Sequence, residues 1–279
     1  MAPQLNERIS EVVWKESMEQ ADQMVQYMLL QPDSSSREGI AGVRSIAINV
    51  LGQVGYGQPK PFKPMQLPRD PKANMNYIDA ISVSVDLIVL AALVPGWILR
   101  LSFMPLSIQT LGAAVGRLPG LTSEMFETER KRIASGNDIR DNVMSMLVRL
   151  SDSEKSGGGA GTNQYLKDDE IAGNLFVFTA AGFDTTANTM GYALALLAAY
   201  PKWQTWIQEE IDFVWSTLTE EEAGAPPYVT VFPRLTRVLA VMVSLAAPLP
   251  SPSPLHSFCS RSSLVPYSRD HESLQCTAS

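Results

Sequence analysis

The 279 residues are 45% hydrophobic and 18% charged, enough apolar content for a folded core in one or two domains. Lys and Arg number 22 against 29 Asp and Glu, a net charge of −7, which argues against a nucleic-acid-binding surface. The two cysteines and two histidines (Cys259, Cys276, His256, His271) all fall near the C-terminus, so neither a disulfide framework nor a Cys/His metal cluster is expected.

The opening MAPQLNERIS has no apolar run and is not a secretory signal. Glu7 to Leu30 repeats apolar residues at helical spacing (Ile9, Val12, Val13, Met24, Val25, Met28) and is predicted helical until Pro32. A second helix is predicted from about Arg37 to Leu51, stopped by Gly52, Gly55 and Gly57, with a proline-rich loop from Pro59 to Pro71. A long helix is expected from Asn74 to Val94. Its end, Leu87 to Leu99, is the most apolar stretch. It is too short to cross a bilayer, which takes about 20 apolar residues, and it reads as a buried helix end. Pro105 to Ser135 is predicted helical, weakened at Gly112, Gly116 and Pro119-Gly120. Arg130-Lys131-Arg132 within it reads as a solvated face, with Glu127 and Arg130 as an ordinary i,i+3 pair. Asp138 to Leu150 forms a shorter helix, and SDSEKSGGGAGT (151–162) a flexible loop.

The stretch from Asp168 to Tyr200 has no proline and would form a helix of roughly 50 Å. It is apolar nearly all round, as a buried helix is. Asp168, Asp169 and Glu170 suit the positive end of its dipole. A magnesium site built on these acids would need a second acidic motif on a facing helix, and none is found. At the middle, Ala181, Gly182, Phe183, Asp184, Thr185 and Thr186 break the apolar pattern, and such a group of exceptions points to a site. A helix follows from Pro201 to about Leu218. Glu220 to Pro227 is expected as a loop, and Phe232 to Met242 as the start of another helix.

Ala-Gly-x-Asp-Thr-Thr in a long central helix resembles the oxygen-activation motif of the cytochrome P-450 family of haem-thiolate monooxygenases. The segments 201–212 and 232–242 resemble the helices that follow in that family. The resemblance implies a mainly α fold, an orthogonal helical array around one long central helix. It implies haem-dependent monooxygenation of a small apolar substrate, with electrons from a reductase. Ala181 and Gly182 would shape the oxygen groove over the haem, Asp184 and Thr185 would relay protons, and Phe183 would face the pocket. Phe103 and Met104 would be pocket lining by position, with core packing as the plainer reading. A full-length eukaryotic member would sit at the endoplasmic reticulum membrane surface. No such anchor or targeting segment is expected from this sequence.

Other family landmarks are not found. None of the five tryptophans has Arg four residues later, so the haem-propionate clamp is missing and the chain is expected to begin after it. No Glu-x-x-Arg follows Asp184, and the copy at Glu127–Arg130 lies on the wrong side of the motif. The ligand loop Phe-x-x-Gly-x-Arg-x-Cys-x-Gly fits neither cysteine. Pro252, Leu255, Ser257 and Arg261 stand around Cys259, and Arg269, Glu272, Leu274 and Ala278 around Cys276. Residues 243–279 turn rich in Ser and Pro and read as a disordered tail foreign to the family, from a frame change, a retained intron or a truncated gene. The expectation is therefore residues 1–242 as the helical central part of a P-450 domain, with haem absent or weakly bound and the chain inactive. The alternative is a non-catalytic helical protein that binds an apolar ligand or a partner surface.

Overall fold

Apolar residues at helical spacing bury only if helix packs on helix, and the computed structural model, which describes residues 7–30, 39–68, 70–135, 142–156 and 166–246, shows no strand among them. The helices are α1 (Glu7–Leu29), α2 (Gly39–Tyr56), α3 (Tyr77–Asp86), α4 (Ile88–Leu93), α5 (Gly96–Leu99), α6 (Leu106–Ala134), α7 (Val143–Ser156), α8 (Asp168–Ala199), α9 (Pro201–Ser216), α10 (Glu220–Gly224), α11 (Tyr228–Val231) and α12 (Thr236–Ala246). A 3₁₀ turn, Phe232–Arg234, precedes α12. The chain divides into two units after Gly191, inside α8. Residues 227–229 return to the first unit.

In the first unit, Ile48, Tyr56, Ile81, Phe126, Val148, Ile171, Leu175 and Phe183 form one core shared by α2, α3, α6, α7 and α8. Each such side chain contributes about 1.5–3 kcal/mol by leaving water. A second cluster joins Leu99 of α5 to Leu111 and Ala114 of α6. In the second unit, Glu210 of α9 is 9% exposed and caps α12. Its carboxylate accepts from Thr236 Oγ1 at 2.8 Å, from Arg237 N at 2.9 Å and from Val238 N at 3.3 Å. It satisfies amides that no helical carbonyl reaches. Arg237 stacks 5.0 Å over the Trp206 ring and pairs with Glu209 at 3.1 Å.

Several expectations need correction. α2 passes through Gly52 and Gly55 and ends at Gly57, whose φ of 65° is the left-handed conformation glycine tolerates. Gly57 N then donates to the Gln53 carbonyl at 2.8 Å, the 5→1 bond of an αL cap, and Gln58 N donates to the Gly52 carbonyl at 3.1 Å. The helix expected over 74–94 starts with a capping box on Asn76 and Asp79, and breaks at Leu87 (φ −117°, ψ 35°). α6 continues unbroken through Gly112, Gly116 and Pro119. Gly112 is needed there, since a Cβ would lie 2.9 Å from Leu99 and 2.8 Å from Arg100 Cγ.

The segment 87–99 is not a buried helix end. Leu99 is buried, but Val89, Leu93 and Trp97 are mostly exposed because only one face meets α6. No helix among the described residues is long and apolar enough to cross a membrane. Phe103 is 76% exposed and lies outside the core. Residues 220–224 form a short helix with its own capping box on Thr219 and Glu222. Only Lys131 of the basic triplet is solvated, and Glu127 pairs with it at 3.8 Å rather than with Arg130. α12 continues to Ala246, past Met242. α7 runs on to Ser156, so residues 151–156, expected as loop, are helical; the rest of that loop, residues 138–141 and the expected tail beyond Ala246 lie outside the described residues.

Candidate functional site

α8 spans 32 residues, as its unbroken pattern predicts. Its start is tied down by ions. Arg130 of α6 donates through Nη1 and Nη2 to the two Asp168 oxygens at 2.9 and 2.6 Å, and reaches Asp152 of α7 at 3.3 Å. The Arg130 hydrogen bonds hold the Asp168 carboxyl below its usual range. Two residues before the motif, Thr179 is fully buried. It donates to the Leu175 carbonyl at 3.0 Å and shares a short hydrogen bond with Tyr56, whose hydroxyl lies 3.1 Å from the same carbonyl. Burial, with Tyr77 beside it, pushes the Tyr56 phenol well above its ordinary value.

The motif wraps around the helix, so its members meet different surroundings. Phe183 is fully buried in the core and does not line an open pocket, contrary to expectation. Gly182 is half-buried against α2, where a Cβ would sit 3.2 Å from Leu51 Cδ2. Its missing side chain is taken up by helix packing. Ala181 and Thr185 are exposed and four residues apart. The Thr185 hydroxyl donates to the Ala181 carbonyl at 2.5 Å. With Gly173 and Val177 they make one exposed stripe along the helix.

Asp184 lies beside this stripe. Its side chain is 37% exposed, and Oδ1 lies 3.1 Å from Arg44 Nη1 of α2. That oxygen is shielded from solvent and receives no aligned hydrogen bond, so the contact is ionic rather than directional. Arg44 Nη2 donates to Asp86 Oδ1 at the end of α3 at 2.6 Å, and the guanidinium carbon stands 4.8 Å over the Phe183 ring. One cation thus joins α2, α3 and α8 at the motif. Arg44 and Asp86 also line a cleft of about 1,120 Å³ with Ile40, Leu67 and Leu106.

The structure therefore groups Asp184 with Arg44 and Asp86, and Ala181 with Thr185 on open surface. The sequence reading missed Arg44 and Tyr56. Arg44 carried a usable signal, as the one charged residue in α2. Among the described residues no cluster of His, Cys, Asp and Glu could hold a metal ion.

The family model for cytochrome P-450 matches residues 9–227. The chain is 29% identical over 252 residues to the phomenoic acid biosynthesis cluster cytochrome P-450 monooxygenase of Leptosphaeria maculans. That match covers 86% of this chain and 42% of the relative. It is 25% identical over 232 residues to the cytochrome P-450 monooxygenase prx9 of Penicillium rubens, covering 80% and 39%. The crystal structure of a cytochrome P-450 haem domain aligns with a TM-score of 0.63 and 15% identity, covering 87% of this chain and 47% of that one. The chain spans about two fifths of the length of these two curated relatives.

Proposed function

Because this chain belongs to the cytochrome P-450 family, we propose that its helices form the oxygen-side wall of a haem monooxygenase acting on a small apolar molecule with electrons from a reductase. One observation carries this reading. The exposed stripe of α8 presents Val177, Ala181 and Thr185, with the Asp184 carboxylate beside it, held by Arg44.

Haem, when bound, supplies the iron that binds and activates dioxygen. The fit of this chain to haem is one-sided. Val177 and Ala181 offer apolar contact, while Thr185 Oγ1 and an Asp184 oxygen are the atoms suited to hold and pass protons on that face. No cysteine or histidine occurs among the described residues, so none of them supplies a thiolate or imidazole. Cys259 and Cys276 lie outside those residues, and neither sits in a family-type ligand loop. We read the chain as inactive on its own.

Two experiments test this. The purified chain, titrated with haem, reduced and exposed to carbon monoxide, is expected to lack the absorption of a thiolate-ligated haem. A stoichiometric band of that type would overturn the inactivity. A chimera placing residues 168–199 in an intact relative should keep turnover and lose it with Asp184→Asn and Thr185→Ala. Indifference to both substitutions would sink the assignment of the α8 face. A second reading, a helical protein that binds an apolar ligand without catalysis, is favoured by a separate cavity between α1, α2 and α3.

A further inference from the structure

That cavity has a volume of about 720 Å³ and opens between α1, α2, α3 and the proline-rich segment from Lys60 to Pro68, with no lining residue from α8. Small-molecule sites run from about 300 to 1,000 Å³. Tyr27, Ile48, Phe62 and Ile78 supply apolar wall, the Tyr27 and Phe62 rings edge to face at 5.9 Å. Ser45, Asn49 and Ser82 also line it, although they are only 4%, 5% and 2% exposed.

These three polar groups have already used the donors that matter. Ser45 Oγ donates to the Lys63 carbonyl, and Ser82 Oγ to the Ile78 carbonyl at 2.6 Å. Asn49 Nδ2 donates to Gln20 Oε1 at 2.9 Å. Gln20 is fixed in that orientation because its own Nε2 donates to the Lys60 carbonyl at 2.7 Å and to Glu16 Oε1 at 3.0 Å. Asn49 must therefore turn its amide nitrogen to Gln20 and its oxygen elsewhere. Asn49 Oδ1 accepts no hydrogen bond among the described residues, and it is not one of the buried atoms closed off from solvent. At the rim, the Lys60 ammonium is engaged by Asp79 at 3.6 Å and by Asn76 at 3.4 Å. The lining thus combines apolar wall with the Asn49 acceptor, alongside Lys60, Lys63, Gln66 and Asp79.

We propose that this cavity binds an apolar alcohol, its hydroxyl donating to Asn49 Oδ1 and its hydrocarbon lying against Ile48, Phe62 and Ile78. An ether brings no proton to that acceptor. A carboxylate would set acceptor against acceptor, which is unfavourable in a buried site. Lys63, at the mouth, is the group that would favour an anion, so a carboxylate is the discriminating competitor.

The inference deepens the ligand-binding reading above, and its failure would leave the haem spectra and the chimera result untouched. The test titrates the whole chain with 1-decanol, decyl methyl ether and decanoate by calorimetry. Decanol is expected to saturate at one molecule per chain. The ether and decanoate should bind about fivefold or more weakly, the net effect of one hydrogen bond. Asn49→Leu should weaken decanol by a similar factor and leave the ether unchanged. Equal binding of ether and alcohol, tighter binding of decanoate, or no saturable binding would overturn the proposal. Should Asn49→Leu fail to fold, the alcohol and ether comparison on the unaltered chain decides.

Discussion

Replacing Arg44 with methionine keeps an unbranched apolar stem and removes the cation shared by Asp86 and Asp184. Both carboxylates are more than a third exposed, at 36% and 37%, so each pair counts at the surface scale of about 0.2–1 kcal/mol. The guanidinium over the Phe183 ring adds about 0.5–1 kcal/mol. The sum is about 1–3 kcal/mol of destabilisation. Urea unfolding followed by circular dichroism measures it. Double-mutant cycles with Asp86→Asn and Asp184→Asn divide it between the two carboxylates. Arg44→Lys should recover only part, because an ammonium lacks the planar fork that reaches both acids. A loss below about 0.5 kcal/mol for Arg44→Met, or full recovery by lysine, would refute the reasoning.

Two further outcomes follow from other parts of the fold. Gly173→Ala should stabilise by about 0.5–1 kcal/mol, since nothing lies within 4 Å of the added Cβ and alanine is the better helix former. Gly112→Ala should destabilise despite the same propensity gain, because that Cβ meets the Leu99 backbone at 2.9 Å. Thermal unfolding of the pair, with opposite signs, checks both. The Asp168 carboxyl is depressed by the Arg130 hydrogen bonds, so its contribution is fully present above the unfolded value of 3.8. That contribution is lost as pH falls through the lower folded value. Asp168→Asn should therefore flatten the loss of stability below about pH 4, and an unchanged acid limb in urea titrations would contradict the pairing.

α8 was legible because no proline falls between Asp168 and Ala199, and because the motif marks its middle. How each motif residue is oriented was not legible, since that depends on what packs where. Phe183 is core because α2, α3 and α6 converge on its side of α8. Gly182 reads as a groove former in sequence, but its neighbour is Leu51. Gly52 and Gly55 looked like helix stops. They remain helical, with Ile78 and Phe178 in ordinary van der Waals range at 3.6 Å from the Cβ each lacks. The basic triplet looked solvated because the partners of Arg130 lie 22 and 38 residues ahead in the chain. Arg132, in contrast, reaches the buried Glu129 only three residues away and Ser145 of α7. The break at Leu87 has no proline or glycine at it, and local sequence gives no account of it. Candidate chemistry was legible as residue types. The Arg44–Asp86–Asp184 grouping needed three helices folded against one another.

Glu210 has a consequence for how the chain is made. The acceptor for the first amides of α12 is synthesised 26 residues before Thr236. Helix nucleation is the unfavourable step, and here its acceptor is already present when those amides leave the ribosome. α12 can therefore start as soon as α9 has formed, without waiting for anything translated later.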